Sequence, residues 1–225
     1  YLDWTLRDTA VLFGDGAGAV VLEAGGPDEG LLGASLGNDA AAAEALMVPN
    51  FGTAMDRVEH DMLSLTIYFD GREIFRRAVK GMTLSAHTAL ERAGKSLEDM
   101  ELLIPHQANA RIIVAVGHKL GIDPERVVVN VDRFGNTSAA SIPIALSEAM
   151  EVKRIQPGQY VLFTAFGAGL SRGAGVYRWG PRNEPLGQSD AELPHSDATG
   201  LEIIARNAGA MKARAAQREA MEKSG

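Results

Sequence analysis

"ELLIPHQANARIIVAVGHKLG", residues 101–121, decides how this chain folds. The apolar run "ELLIPH" (101–106) reads as a buried strand, and "NARIIVAVGHKLG" (109–121) reads as a helix that stops at Gly121. The same order returns at once. "RVVVNV" (126–131) is expected as a strand and "SAASIPIALSEAMEVKRI" (138–155) as a helix. Proline is tolerated only near the first turn of a helix, so Pro143 puts its start close to Ser138 to Ser141. "GQYVLFTAFGAG" (158–169) and "SRGAGVYRW" (171–179) then close the pattern as two strands. Helices alternating with hydrophobic strands predict a layered α/β fold, and the final strand pair adds an antiparallel edge.

Working outward, Ile74, Phe75, Ala78, Val79, Met82, Ala86, Ala89, Leu90 and Ala93 recur at three and four, which predicts an amphipathic helix from Gly71 to Gly94. Upstream, "TAVLF" (9–13) and "AGAVVLE" (17–23) are expected as two strands joined by "GDG", followed by "GLLGASLG" (30–37). Residues 37–63 lack a period and read as a long loop, the kind of segment that often carries function. "SLTIYFD" (64–70) is a strand candidate. Residues 180–200 concentrate Pro, Gly, Ser and acid and read as a flexible linker. The tail 201–225 reads as a helix opened by a capping box, Thr199 and Glu202, with a thin stripe of Leu201, Ile204, Ala208, Met211 and Ala215. The chain starts at Tyr1 and runs directly into strand-like sequence, so it reads as a piece of something longer.

Composition excludes several classes. With 46% hydrophobic residues in 225, there is enough apolar side chain for one sizeable core or two small ones. No run approaches the roughly 18 to 20 apolar residues of a membrane span. A net charge of -7, from Lys+Arg 22 against Asp+Glu 29, argues against a general nucleic-acid binder. There is no cysteine, so thiol catalysis, disulfides and Cys-based zinc sites within the chain are out.

His106 stands where a strand ends and a helix begins, the side of an α/β layer that faces a ligand crevice. The plainer alternative is a cap, with Gln107 and Asn109 satisfying helix-start amides. The second strand-to-helix turn, "VDRFGNTSAAS" (131–141), presents Asn136 in the same way. A neutral imidazole and an amide N–H converging on one oxygen would stabilise negative charge there, the principle of an oxyanion hole. What is lacking is a nucleophile: Ser85, Ser138 and Ser141 stand in no G-x-S-x-G elbow. The glycines of "FGDGAGAVV" (13–21) lack the spacing and the following helix of a phosphate loop, and instead suggest close backbone packing. His60, His87, His118 and His195 read as structural or solvated, and no pair has metal-site spacing.

Taken together, "LFGDGAGAVVLE", "PHQAN", "DRFGNTSAASIPIAL" and "AFGAGLSRGA" resemble the C-terminal half of a β-ketoacyl-acyl-carrier-protein synthase III, over residues 1–179. The resemblance implies a thiolase-like fold. In it, this half contributes a mixed five-stranded sheet with helices to an α-β-α-β-α core. It implies a Cys-His-Asn site in which His106 and Asn136 are catalytic, Asn109 supports an ordered water, and Phe166 is the aromatic beside the nucleophile. Gly71 and Phe75 would contact the pantetheine of the substrate, and Arg76, Arg77, Arg111 and Lys119 would dock the acidic carrier protein, Arg76 and Arg111 aligning best. The plainer reading of those cations is a solvated helix face. The implied reaction is decarboxylative condensation of an acyl thioester with malonyl-carrier protein, with acyl-CoA and malonyl-carrier protein as substrates and no cofactor or metal. The implied partners are an N-terminal half carrying the cysteine, acyl carrier protein, CoA thioesters and a second copy, in the cytoplasm. Related alternatives are acyl transfer to an alcohol or amine, condensation of two acyl chains, or a non-catalytic thiolase-fold scaffold.

Overall fold

The computed structural model describes residues 2–26, 28–49, 66–182, 184, 190–192 and 195–222. In chain order the elements are α1 (Arg7–Ala10), β1 (Gly30–Asn38), β2 (Leu46–Met47), β3 (Tyr68–Phe69), α2 (Gly71–Ala93), β4 (Met100–Pro105), α3 (Ala110–Leu120), α4 (Val131–Phe134), α5 (Ser141–Glu151), β5 (Tyr160–Gly167), β6 (Ser171–Arg178) and α6 (Gly200–Glu222).

Four strands form one mixed sheet in the order β1-β6-β5-β4, with β4 and β5 parallel and the other pairs antiparallel. Side chains alternate across a strand, so the runs in β4 and β5 supply both faces. Leu103, Leu162 and Val176 join Met82 of α2 and Ile113 and Val116 of α3 on one side. Leu102, Ile104 and Val161 join Ala145 and Ala149 of α5 and Ile155 on the other. A sheet covered on both faces explains why these strands read as continuous apolar runs rather than alternating ones.

Local chemistry fixes the helix ends. Asp70 caps α2 by accepting hydrogen bonds from the backbone N–H groups of Arg72 (3.1 Å) and Glu73 (3.0 Å), and Asn109 caps α3 by accepting one from Ile112 (2.9 Å). Gly94 and Gly121 end these helices with positive φ, 61° and 72°. Pro143 is the third residue of α5, as the sequence requires. Thr199 and Glu202 form the expected capping box at α6, with Thr199 N–H on the Glu202 carboxylate at 2.7 Å.

The structure corrects four expectations. "TAVLF" and "AGAVVLE" are not strands: α1 covers Arg7–Ala10, Phe13 makes a single bridge, and residues 14–26 join no ladder. A strand needs a neighbour, and none of the described residues supplies one; Val21 and Leu22 are 95% and 83% exposed. "RVVVNV" is reduced to one parallel bridge, Leu103 to Val127, so the sheet has four strands and a single bridge where a fifth was expected. Among the described residues of "SLTIYFD", Tyr68 and Phe69 alone pair, opposite Met47 and Leu46. On α6 the partly buried stripe is Ile203, Asn207, Ala208 and Met211, while Leu201 and Ile204 stay exposed. Residues 50–65 with His60, residues 183, 185–189 and 193–194 of the expected linker, and the Ala215 side chain lie outside the described residues.

Candidate active site

A cavity of about 550 Å³ opens where β4 and β5 end, and His106, Asn109, Asn136 and Phe166 all line it. Each arrives by a different local device. His106 continues the β4 ladder one residue past Pro105, its N–H donating to the Thr164 carbonyl at 2.8 Å. Its Nδ1 lies 2.6 Å from the Ser141 hydroxyl at the start of α5. Burial pushes the imidazole pKa down to about 4, so His106 is neutral at pH 7 and carries one N–H.

Asn136 sits in the turn between α4 and α5. Its Oδ1 accepts from the N–H of Ser138 at 2.9 Å, so the amide presents its NH2 end to the cavity. Ser138 itself adopts φ 53°, a left-handed position that closes this turn. Asn109 repeats the logic: its oxygen is taken by the Ile112 N–H, and its NH2 is left over. Both amide oxygens already accept a backbone N–H, and each NH2 group remains as a donor to offer a ligand.

The Asn136 turn is strapped from a distance. Its N–H donates to Leu12 O (2.8 Å), its carbonyl accepts from Gly14 N–H (3.1 Å), and Phe13 and Asn136 form a parallel bridge. The glycines of "GDGAG" make this possible. A Cβ on Gly14 would stand 1.9 Å from the Phe134 carbonyl oxygen, one on Gly16 2.8 Å from Ile144 Cδ1, and one on Gly18 2.3 Å from Pro143 Cβ. They serve close backbone packing, as expected, although not at a strand-to-strand turn. On the other side, Glu148 of α5 accepts from Asn130 Nδ2 (2.6 Å) and pairs with Arg133 (2.5 Å), holding α4 to α5.

Gln107 is not a helix cap. It is 1% exposed, donates through Nε2 to Pro105 O (2.8 Å) and Val128 O (3.1 Å), and accepts from Asn130 N–H at 2.9 Å. This side chain takes the hydrogen bonds that a fifth strand would have made beyond Val128, and it locks the His106 turn to the Asn130–Asn136 segment. Ser141 is the other residue whose place the sequence did not reveal. It is 2% exposed and lines the cavity wall beneath His106. Arg172 also lines the cavity, with its NH1 donating to Ser85 Oγ at 3.1 Å.

Gly71 and Phe75 are not among the lining residues; Phe69 and Ile74 take that place. Phe75 instead packs on the main core and lies under the Arg111 guanidinium, 5.8 Å from ring centre to Cζ. The first turns of α2 and α3 are thus side by side. Arg76 and Arg77 both bind Glu73, at 2.7 and 2.6 Å, and Arg77 also pairs with Asp39. Those two arginines hold the Glu73 carboxyl at about 2. Lys119 lies eight residues along α3 from Arg111, about 12 Å away, at the opposite end of the helix. Among the described residues no group of His, Asp or Glu side chains could hold a metal ion, and no helix is long and apolar enough to cross a membrane.

Comparison with known proteins names the architecture. Residues 90–179 match the profile described as 3-oxoacyl-[acyl-carrier-protein] synthase III, C terminal, and residues 1–40 match the synthase III profile that precedes it. The chain belongs to the β-ketoacyl-acyl-carrier-protein synthase III family. A Vibrio cholerae protein named β-ketoacyl-[acyl-carrier-protein] synthase III 2 is 52% identical over 206 residues, 92% of this chain and 57% of that protein. The synthase III of Roseiflexus sp. strain RS-1 is 46% identical over 80% of this chain and 55% of its own length. The crystal structure of the Pseudomonas aeruginosa PAO1 synthase III superposes with a TM-score of 0.73 at 41% identity, covering 82% of this chain and 55% of that one. The fold is therefore thiolase-like, as the paired "PHQAN" and "GNTSAAS" turns imply. The chain spans about half the length of the curated relatives it matches. The Vibrio match, at 92% of the chain, runs past residue 179, where the family profile stops.

Proposed function

We propose that this chain supplies the hydrogen-bond-donor half of a decarboxylating condensing site, which joins an acyl thioester to a malonyl unit on acyl carrier protein. The observation that carries the reading is the shared wall: neutral His106 and the Asn136 amide face one cavity, with the Asn136 oxygen already occupied. When the malonyl unit loses carbon dioxide, its C–C bond electrons become an enolate, and the thioester oxygen gains negative charge. Two N–H donors aimed at that oxygen stabilise the charge. The enolate carbon then attacks an acyl thioester held on a cysteine. This sequence has none, so the cysteine comes from a different segment or chain. Asn109 supports a water beside the reacting oxygen, and Phe166 closes the wall next to the nucleophile. Acyl-CoA delivers the first acyl group and no cofactor takes part. The working unit is a cytoplasmic homodimer of the complete enzyme.

The carrier docks on the adjacent first turns of α2 and α3, where Arg76 and Arg111 flank Phe75, with Arg77 behind them and Lys119 at the far rim. Gly71 and Phe75 lie at the entrance rather than the wall, on the path of the pantetheine arm.

The test is decarboxylation of malonyl-carrier protein by the assembled enzyme. His106→Ala and Asn136→Ala should each lower the rate about 100-fold or more while leaving the fold intact. An unchanged rate in either variant refutes the assignment. Glu73 competes with the carrier for Arg76, so Glu73→Gln should tighten carrier binding a few-fold at low salt and have no effect at high salt, read by calorimetric titration. Weaker binding in that variant would remove Arg76 from the dock.

A further inference from the structure

His106 has two ring nitrogens and, being neutral, one proton, and the geometry points to Ser141 as the positioning residue that puts this proton on Nε2. The inference rests on the reading of His106 as a donor into the cavity and adds what makes it one. Ser141 Oγ lies 2.6 Å from His106 Nδ1 and also accepts the backbone N–H of Gln107 at 3.3 Å. The hydroxyl has a single proton of its own. Among the described residues, the Ser141 hydroxyl is hydrogen-bonded to Nδ1 as its acceptor, and Ser141 is 2% exposed.

The two tautomers are therefore not equivalent. With the proton on Nε2, Nδ1 accepts from the Ser141 O–H, and every group is satisfied. With the proton on Nδ1, the ring donates to Oγ, the buried O–H has no acceptor, and Nε2 turns a lone pair toward the cavity. A buried donor without a partner disfavours that arrangement by about tenfold or more. The consequence is chemical. In the first form the cavity wall carries N–H at His106, Asn136 and Asn109, all fit for an oxygen gaining negative charge; in the second, His106 repels it. Ser141 does this through His106 rather than by a bond of its own to the reacting oxygen. The Gln107 N–H fixes the hydroxyl rotor, and the first turn of α5 fixes the Oγ, so the device is made from the β4–α3 and α4–α5 turns that deliver His106 and Asn136.

The test is spectroscopic and independent of turnover. In the 15N-labelled chain at pH 7, long-range proton–nitrogen correlations of the imidazoles report which nitrogen is protonated, with the His106 pattern assigned by its loss in His106→Asn. The expected result is a protonated Nε2 and a hydrogen-bonded, unprotonated Nδ1. In Ser141→Ala the Nδ1 signal should lose its hydrogen-bond shift and the Nδ1–H form should rise from undetectable to a tenth of the population or more. Ser141→Thr, which keeps the hydroxyl, should restore the original pattern. A wild-type His106 protonated on Nδ1 overturns the proposal without any variant, as does a Ser141→Ala spectrum identical to the wild type. The outcome also separates the two readings. If the tautomer is as expected but His106→Ala decarboxylates normally, the donor reading fails and the role of Ser141 in tautomer choice stands.

Discussion

Replacing Gln107 by leucine would remove three buried hydrogen bonds while nearly conserving the side chain's volume. The Pro105 and Val128 carbonyls would lose their Nε2 donor, and the Asn130 N–H would lose its Oε1 acceptor. Each orphaned buried backbone group costs about 1–3 kcal/mol, so the three together should cost about 3–9 kcal/mol. The more apolar leucine returns about 1–2 kcal/mol of that through its own burial. The net loss of about 1–8 kcal/mol is a large part of the roughly 5–15 kcal/mol that holds a domain together. Urea unfolding followed by far-ultraviolet circular dichroism gives the difference directly, provided the slope is unchanged. Amide exchange should place the damage first at Asn130 and Val128, before the main core on α2 opens. A Gln107→Leu variant within about 0.5 kcal/mol of wild type would refute the argument that this side chain replaces a strand. Such a result would mean that the 127–136 segment is held by packing on α5 alone.

Three further outcomes follow from geometry. The unfolded chain binds the His106 proton near pH 6.5 and the folded one only near 4, so the unfolded state binds more protons between those values and stability falls as pH falls through that window. Wild type should lose about 3 kcal/mol more than His106→Asn between pH 7 and pH 4, and equal losses would show that burial does not hold the imidazole neutral. Gly14→Ala drives a methyl group against the Phe134 carbonyl oxygen, 1.9 Å away, and should cost about 1–3 kcal/mol while speeding amide exchange at Asn136; unaltered exchange would mean that the strap does not hold the turn. Asp70→Ala removes the α2 cap and should cost about 1 kcal/mol by urea unfolding, with no change in the slope; a loss below about 0.3 kcal/mol would discount the cap.

Much of this was legible in the sequence, for physical reasons. β4, α3, α5, β5 and β6 were readable because a sheet buried on both faces writes continuous apolar runs, and its helices write stripes at three and four. Asn109, Gly94, Gly121 and Pro143 mark helix ends with local chemistry that needs no tertiary context. His106 and Asn136 could be paired because each sequence turn offers one polar side chain just ahead of a helix, although the second turn proves to join α4 to α5 rather than a strand to a helix. "TAVLF" and "AGAVVLE" were misread because apolarity states that a segment wants burial, not which neighbour provides it. "RVVVNV" failed for a subtler reason. One buried amide, Gln107, satisfies the backbone that a ladder would have satisfied, and no periodicity records that. Ser141 was visible as a serine but not as the partner of His106, since contact across 35 positions is a property of packing.

The strap from Leu12 to Gly18 has a consequence for anyone building hybrids of this family. Those residues lie ahead of β1, on the early side of any boundary drawn by strand order. Yet their carbonyls, amides and missing side-chain carbons are fitted to the Asn136 turn and to Pro143 and Ile144 of α5. A crossover placed between residues 18 and 131 would pair a strap from one parent with a turn from the other. The workable exchange unit is discontinuous, and residues 12–18 must travel with residues 131–144.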